Sequence, residues 1–166
     1  MSSILTIGFC MNILIEKFDM YVLGFFRRVE MPLARMSLFV VYFWFGALKL
    51  IGMSPAAPLV QELYLQTVSF MPFPTFSGVL AAFEIMIGVL FLLPRMERLA
   101  ILLVAGHMAV AALPLFLLTD TTWQGFLAPT LEGQYIIKNI LIVALVVVVA
   151  AHTKSPLNDD RTLEHF

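Results

Sequence analysis

The chain has 166 residues, of which 61% are hydrophobic and 13% are charged, and its mean hydropathy is +0.95. These values exclude an ordinary soluble domain and predict an integral membrane protein. The net charge of −1 carries no basic excess of the kind that nucleic-acid binding requires. Since a helix needs about 20 residues to cross the hydrocarbon core, the chain has room for four spans and no separate soluble domain.

Residues 1–30 have an amphipathic pattern. From Met11 onward, apolar side chains recur at helical spacing, with Glu16 and Lys17 largely opposite them. This predicts a helix lying on the cytoplasmic membrane surface, and the alternative is a disordered, weakly helical leader. A secretion signal is rejected because no basic segment precedes the apolar stretch and no small-residue cleavage pattern follows it.

Cys10 is the only cysteine of the chain. A lone thiol cannot form an internal disulfide, which argues against thiol exchange by this chain alone. We interpret Cys10 as a small hydrophobic residue of the leader.

Four apolar segments predict membrane spans, and proline or glycine marks most of their ends. They cover Leu33–Met53, Thr75–Leu93, Arg98–Leu118 and Gln134–His152. The predicted fold class is all-α, an integral membrane four-helix bundle with an N-terminal amphipathic interfacial helix. The predicted organisation is a leader helix over residues 1–30, a four-helix domain over 31–153 and a polar cytoplasmic tail over 154–166.

Eight of the ten basic residues lie in the connections or at the adjoining ends of the spans, and all eight fall on one side of this topology. The positive-inside rule makes that side cytoplasmic and places both termini there, in what we expect to be a bacterial inner membrane. The residues concerned are Lys17, Arg27, Arg28, Arg35, Arg95, Arg98, Lys154 and Arg161.

Ionisable residues interrupt every span. Lys49 and Lys138 lie about four residues from the outer ends of their spans, or on the order of 6 Å below the boundary, whereas Glu84 and His107 lie deeper. Such residues are expensive in a bilayer and are functional-site candidates by default. Ser77, Ala81 and Gly88 share the helical stripe of Glu84, which indicates that Glu84 points into the bundle.

Plainer interpretations stand beside a functional one. The lysines can snorkel towards the outer headgroups, Glu84 can form a structural ion pair with Lys49 or Lys138, and His107 can be a hydrogen-bonded core histidine. The three histidines are scattered, so neither a metal nor heme is predicted.

If the three charged residues meet, one carboxylate faces two ammonium groups. A surplus of positive charge favours a ligand with acceptor oxygens, and a membrane-soluble quinone fits. Lys49 or Lys138 would donate to a carbonyl oxygen, while Glu84 and His107 could move protons. The predicted cofactor-binding residues are therefore Lys49, Glu84, His107 and Lys138, and no catalytic residue is predicted.

Three ordered motifs resemble the DoxX-like family of small four-helix membrane proteins, and within it the reactive-chlorine-resistance branch. They are Phe43-Trp44-Phe45-Gly46-Ala47-Leu48-Lys49, Glu84 with Gly88, and Gly133-Gln134-Tyr135-Ile136-Ile137-Lys138-Asn139. The resemblance covers residues 35–151 and matches Arg35 at the head of the first span as well as Lys49, Glu84 and Lys138. It implies roles as diverse as a membrane subunit of a thiosulfate:quinone oxidoreductase, oxidant defence and membrane-protein chaperoning, and it does not imply an independent enzyme.

Two functions from different classes follow. One is a membrane subunit of a redox or oxidant-defence system that binds quinone at the buried charges. The other is a non-catalytic accessory or assembly subunit of a larger membrane complex, whose buried charges serve its own fold. For either function, the expected partners are the lipid bilayer and either another membrane protein or a second copy of this chain. Transport is a weaker third possibility because four spans show no inverted repeat.

Overall fold

A computed structural model describes the backbone of residues 2–68 and 70–153 and the side chains of residues 18–68 and 70–153. The predicted tail over residues 154–166 and the side chains of the leader before Phe18, including Cys10, lie outside the described residues. The chain divides into two compact units, one up to Ala34 and one from Arg35 onward.

The first helix, α1, runs over Ser2–Leu50 and contains Pro32. The sequence predicted a leader helix ending near residue 30 and a separate span beginning at Leu33, but the backbone has no helix end between them. Helix α1 is apolar enough to cross a membrane from Phe18 onward. The position of the leader on the membrane surface stays a prediction.

The other elements follow α1 in short succession. They are α2 (Ala57–Thr67), α3 (Phe73–Leu92), α4 (Glu97–Ala112), α5 (Pro114–Leu117), α6 (Thr119–Thr122), β1 (Trp123–Gly125), β2 (Ala128–Pro129), α7 (Leu131–Lys138) and α8 (Ile140–His152).

Four segments of the described chain are long and apolar enough to span a bilayer. They are Phe18–Leu50, Phe73–Leu92, Glu97–Leu117 and Leu131–His152. The predicted all-α membrane four-helix bundle is confirmed, and the last three spans begin and end within a few residues of their predicted limits. Pro114 begins α5 directly after α4, as expected of a residue that cannot continue the hydrogen-bond ladder.

The connections between spans contain short helices and strands of their own. Between the first and second spans lies α2, whose Tyr64 hydroxyl donates to the Met71 carbonyl. Between the third and fourth lie α5, α6 and an antiparallel pair formed by β1 and β2. The Thr121 hydroxyl lies 3.0 Å from both carboxylate oxygens of Glu62, so the two connections contact each other. This contact places both at one end of the bundle, as alternating spans require.

The core of the unit from Arg35 onward lies among α1, α3, α4 and α8. Helix α4 packs against both α3 and α8. Apolar side chains from all four helices fill the space between them, with Leu38, Ile87, Phe91, Val104 and Val149 almost completely buried. Arg35 holds the end of α3 and the start of α4. Its Nε donates to the Phe91 carbonyl over 2.9 Å, and its Nη2 pairs with Glu97.

Candidate functional site

Lys49 and Glu84 form a buried ion pair between α1 and α3. The Lys49 Nζ lies 2.8 Å from Oε1 and 2.7 Å from Oε2 of Glu84. Only 9% of the Lys49 side chain and 7% of the Glu84 side chain are exposed. The prediction that Glu84 points into the bundle is confirmed.

Two glycines let α1 and α3 approach closely enough for this pair to form. A Cβ on Gly88 would lie 3.0 Å from the Phe43 nitrogen and 3.1 Å from the Phe39 carbonyl oxygen. A Cβ on Gly46 would lie 2.9 Å from the Ala81 carbonyl oxygen. Because these neighbours are backbone atoms, a larger residue at either position would push the two helices apart, and the contact is of the small-residue type that membrane helices use.

His107 and Tyr42 extend the pair into a cluster of four side chains. The His107 Nε2 lies 3.2 Å from Glu84 Oε1, and the Tyr42 hydroxyl lies 3.5 Å from His107 Nδ1. The two rings meet edge to face with centroids 5.5 Å apart. We call Tyr42, Lys49, Glu84 and His107 the polar cluster.

Both oxygens of the Glu84 carboxylate have hydrogen-bond partners within the polar cluster. Oε1 accepts from Lys49 and His107, and Oε2 accepts from Lys49. When His107 carries its proton on Nε2, Nδ1 can accept from the Tyr42 hydroxyl, and when the ring is doubly protonated, Nδ1 donates to that hydroxyl instead. With His107 neutral, Lys49 and Glu84 balance each other and the cluster has no net charge.

Lys138 lies outside the polar cluster. Its side chain is exposed, and its Nζ lies 5.4 Å from the centroid of the Tyr135 ring on the same helix. The sequence grouped Lys138 with Lys49 and Glu84, but the structure brings only Lys49, Glu84 and His107 together. Without Lys138 the polar cluster holds one ammonium and one carboxylate, so it lacks the surplus of positive charge that three charged residues would have given.

Tyr42 belongs to the polar cluster, although the sequence did not select it. It precedes Lys49 by seven residues, which puts the two on one face of α1 two turns apart, and it is almost completely buried. A buried tyrosine hydroxyl normally has a hydrogen-bond partner, and this signal could have marked Tyr42 beside Lys49.

A cleft of about 350 Å³ opens beside the Lys49 end of the polar cluster. It lies between the end of α1, the start of α2 and the start of α3. Its lining includes Lys49, Ser54, Phe73, Ser77 and Gly78. Its volume is at the lower end of the range of about 300–1,000 Å³ that is typical of small-molecule sites.

No protein-family model, curated protein or solved structure matches this chain. The resemblance to the DoxX-like family thus stays a prediction carried by the motifs themselves. The geometry does give those motifs a common location, because Gly46, Lys49, Glu84 and Gly88 all lie at the contact between α1 and α3. The third motif, which ends at Lys138 and Asn139, lies elsewhere.

The described residues offer few groups for other cofactors. Within residues 18–68 and 70–153, no three His, Cys, Asp or Glu side chains are close enough together to hold a metal ion. The chemistry of the polar cluster is that of hydrogen-bond donors and proton-holding groups: an ammonium, a carboxylate, an imidazole and a phenol.

Proposed function

We propose that this chain is a DoxX-like membrane subunit of a redox or oxidant-defence system that binds a quinone or a similar small molecule at the polar cluster. In this proposal it lies in a bacterial inner membrane with both termini in the cytoplasm. The observation that supports it is the cleft of about 350 Å³, because Lys49 is at once part of its lining and part of the polar cluster.

The residues of the cleft fit such a ligand. The apolar side chains of Leu50, Val60 and Phe73 can contact a ring, and the Lys49 ammonium can donate to a carbonyl oxygen. A bound quinone would supply the electron-carrying chemistry. The contribution of this chain would be to orient the ring and to hold protons at Glu84 and His107, while a partner protein supplies the electrons.

Filling the cleft tests the proposal. Purified protein in lipid nanodiscs would be titrated with menadione, a quinone without an isoprenoid tail, and binding would be followed by isothermal calorimetry. Gly78→Phe places a ring in the cleft and should weaken binding at least ~10-fold. Val79→Phe is the matched control, since the Val79 side chain is exposed on the same helix. Absence of saturable binding to the unaltered protein, or equal binding by Gly78→Phe, would refute the proposal.

A second function is favoured by one specific observation. Both oxygens of Glu84 already accept hydrogen bonds from within the chain, so the ion pair needs no ligand in order to fix α1 against α3. This is what an accessory or assembly subunit without a ligand would need. A protein that binds no menadione, yet whose unfolding free energy depends strongly on the pairing of Lys49 with Glu84, would match this second function.

A further inference from the structure

Ser54 is a buried serine whose hydroxyl makes no hydrogen bond within the described part of the chain. Only 9% of the residue is exposed, and it lines the cleft beside Lys49. A buried hydroxyl without a partner is unfavourable, and each such group in a folded protein calls for an explanation.

The end of α1 fixes Ser54 in this place. The Met53 N–H donates to the Leu48 carbonyl over 2.9 Å, and the Gly52 N–H donates to the Lys49 carbonyl over 3.2 Å. With Gly52 at φ +71, this is the Schellman arrangement that turns a chain back at a helix end. The Ser54 carbonyl then accepts from the Ala57 N–H, which ties the residue to the start of α2.

The lining of the cleft therefore includes two residues that carry donors of different kinds. Lys49 carries three N–H groups, and the Ser54 hydroxyl can donate one hydrogen bond. The charge of Lys49 is already balanced by Glu84, so an anion in the cleft would gain little electrostatic attraction while losing its hydration. A neutral oxygen acceptor is the partner that matches this pair of donors.

We infer that the cleft takes a neutral, largely apolar molecule with a carbonyl oxygen, and that Ser54 donates a hydrogen bond to that oxygen beside Lys49. This inference rests on the proposed function and specifies its ligand: the uncharged form binds, and Ser54 contributes to selection. The remaining lining is largely apolar, with Leu50, Ala57, Val60, Phe73 and Pro74, and suits a hydrocarbon ring or tail.

Three small probes of similar shape separate the contribution of the carbonyl oxygens from that of charge. Menadione has two carbonyl oxygens, 2-methylnaphthalene has none, and 2-hydroxy-1,4-naphthoquinone is an anion at neutral pH. Titrations in nanodiscs at pH 7 should rank menadione first. Loss of one neutral hydrogen bond in Ser54→Ala should weaken menadione binding by about threefold to tenfold and leave 2-methylnaphthalene within about twofold.

Two further variants test whether the change in menadione affinity comes from the Ser54 hydroxyl. Ser54→Thr keeps the hydroxyl and should retain more menadione affinity than Ser54→Ala. Ser37→Ala, on α1 and outside the cleft lining, should bind as the unaltered protein does. Comparison of menadione with the anion needs no variant, so a folding defect in Ser54→Ala does not remove the test.

The outcomes distinguish this inference from the proposed function. If menadione binds and Gly78→Phe abolishes binding, but Ser54→Ala binds equally well or the anion binds more tightly, the inference is overturned while the proposed function stands. If menadione does not bind the unaltered protein at all, both are overturned.

Discussion

Replacing Lys49 with methionine should destabilise the protein far more than an ordinary substitution does. Lys49 supplies two of the three hydrogen bonds that Glu84 accepts, and both side chains are buried. Lys49→Met would leave a buried carboxylate with His107 as its one remaining partner. Hydrogen bonds to charged groups contribute about 1.5–3 kcal/mol each, and breaking one side of a buried pair costs about 3–5 kcal/mol. We expect a loss of about 3–5 kcal/mol in unfolding free energy.

A double-mutant cycle isolates the pair from other effects of the substitution. Lys49→Met combined with Glu84→Met removes both charges and leaves two flexible apolar side chains of similar length. Because no uncompensated charge remains, this double variant should be less destabilised than Lys49→Met alone. The coupling energy between the two sites should be at least about 2 kcal/mol, within the range seen for contacting residues.

Lys138→Met is the matched control, because Lys138 is an exposed lysine of a predicted span. Its effect should stay within about 0.5 kcal/mol, as for surface substitutions in general. The assay is equilibrium unfolding in mixed dodecylmaltoside and dodecyl sulfate micelles, followed by tryptophan fluorescence. Equal stability of Lys49→Met and Lys138→Met, or a coupling below about 0.5 kcal/mol, would refute the assignment of Lys49 and Glu84 as a buried pair.

The same unfolding assay checks three more expectations. Gly88→Ala places a Cβ 3.0 Å from the Phe43 nitrogen and should lower the unfolding free energy by about 1–3 kcal/mol. The control, Gly78→Ala on the same helix, meets open space and should be neutral or stabilising by up to about 1 kcal/mol. Equal losses in the two variants would contradict the close approach of α1 and α3 at Gly88. Arg35→Ala removes the hydrogen bond to the Phe91 carbonyl and the ion pair with Glu97, so it should lower the unfolding free energy by about 1–3 kcal/mol. It should also speed hydrogen exchange at the end of α3. Unchanged exchange there would contradict the role of Arg35 in holding that helix end. Arg95→Gly relieves a residue held at φ 68 and should raise stability by up to about 1 kcal/mol, whereas a loss would show that the Arg95 side chain matters more than its backbone.

The spans could be predicted from the sequence because their ends are marked by residues with strong local preferences. Gly52 closes the first span by adopting a positive φ, and Pro114 begins α5 directly after α4. The start of the first span could not be found in this way. The predicted span begins directly after Pro32, but a proline can be accommodated within a long helix, and α1 continues through it.

The direction in which the Glu84 side chain points could be predicted because small residues mark one face of its helix. Ala81 and Gly88 lie on the same stripe as Glu84, and small residues mark the face where membrane helices touch. The cleft beside Lys49 was not predictable, because it depends on how the chain turns after α1 and on where α2 then packs. No periodicity in the apolar pattern encodes that geometry.

Lys138 shows why equal depth in the membrane does not make a shared site. Gly133 and Ile136 form the buried face of α7, and Lys138 follows Ile136 by two residues, which is about 200° around the helix. It therefore points away from the bundle, where an exposed lysine can snorkel to the headgroups while its stem covers apolar surface. The sequence could not distinguish this, because the residues around Lys138 are apolar on nearly every face and give no stripe to follow. With Lys138 outside the polar cluster, Lys49 and Glu84 balance each other, and the ligand that we propose is a neutral acceptor.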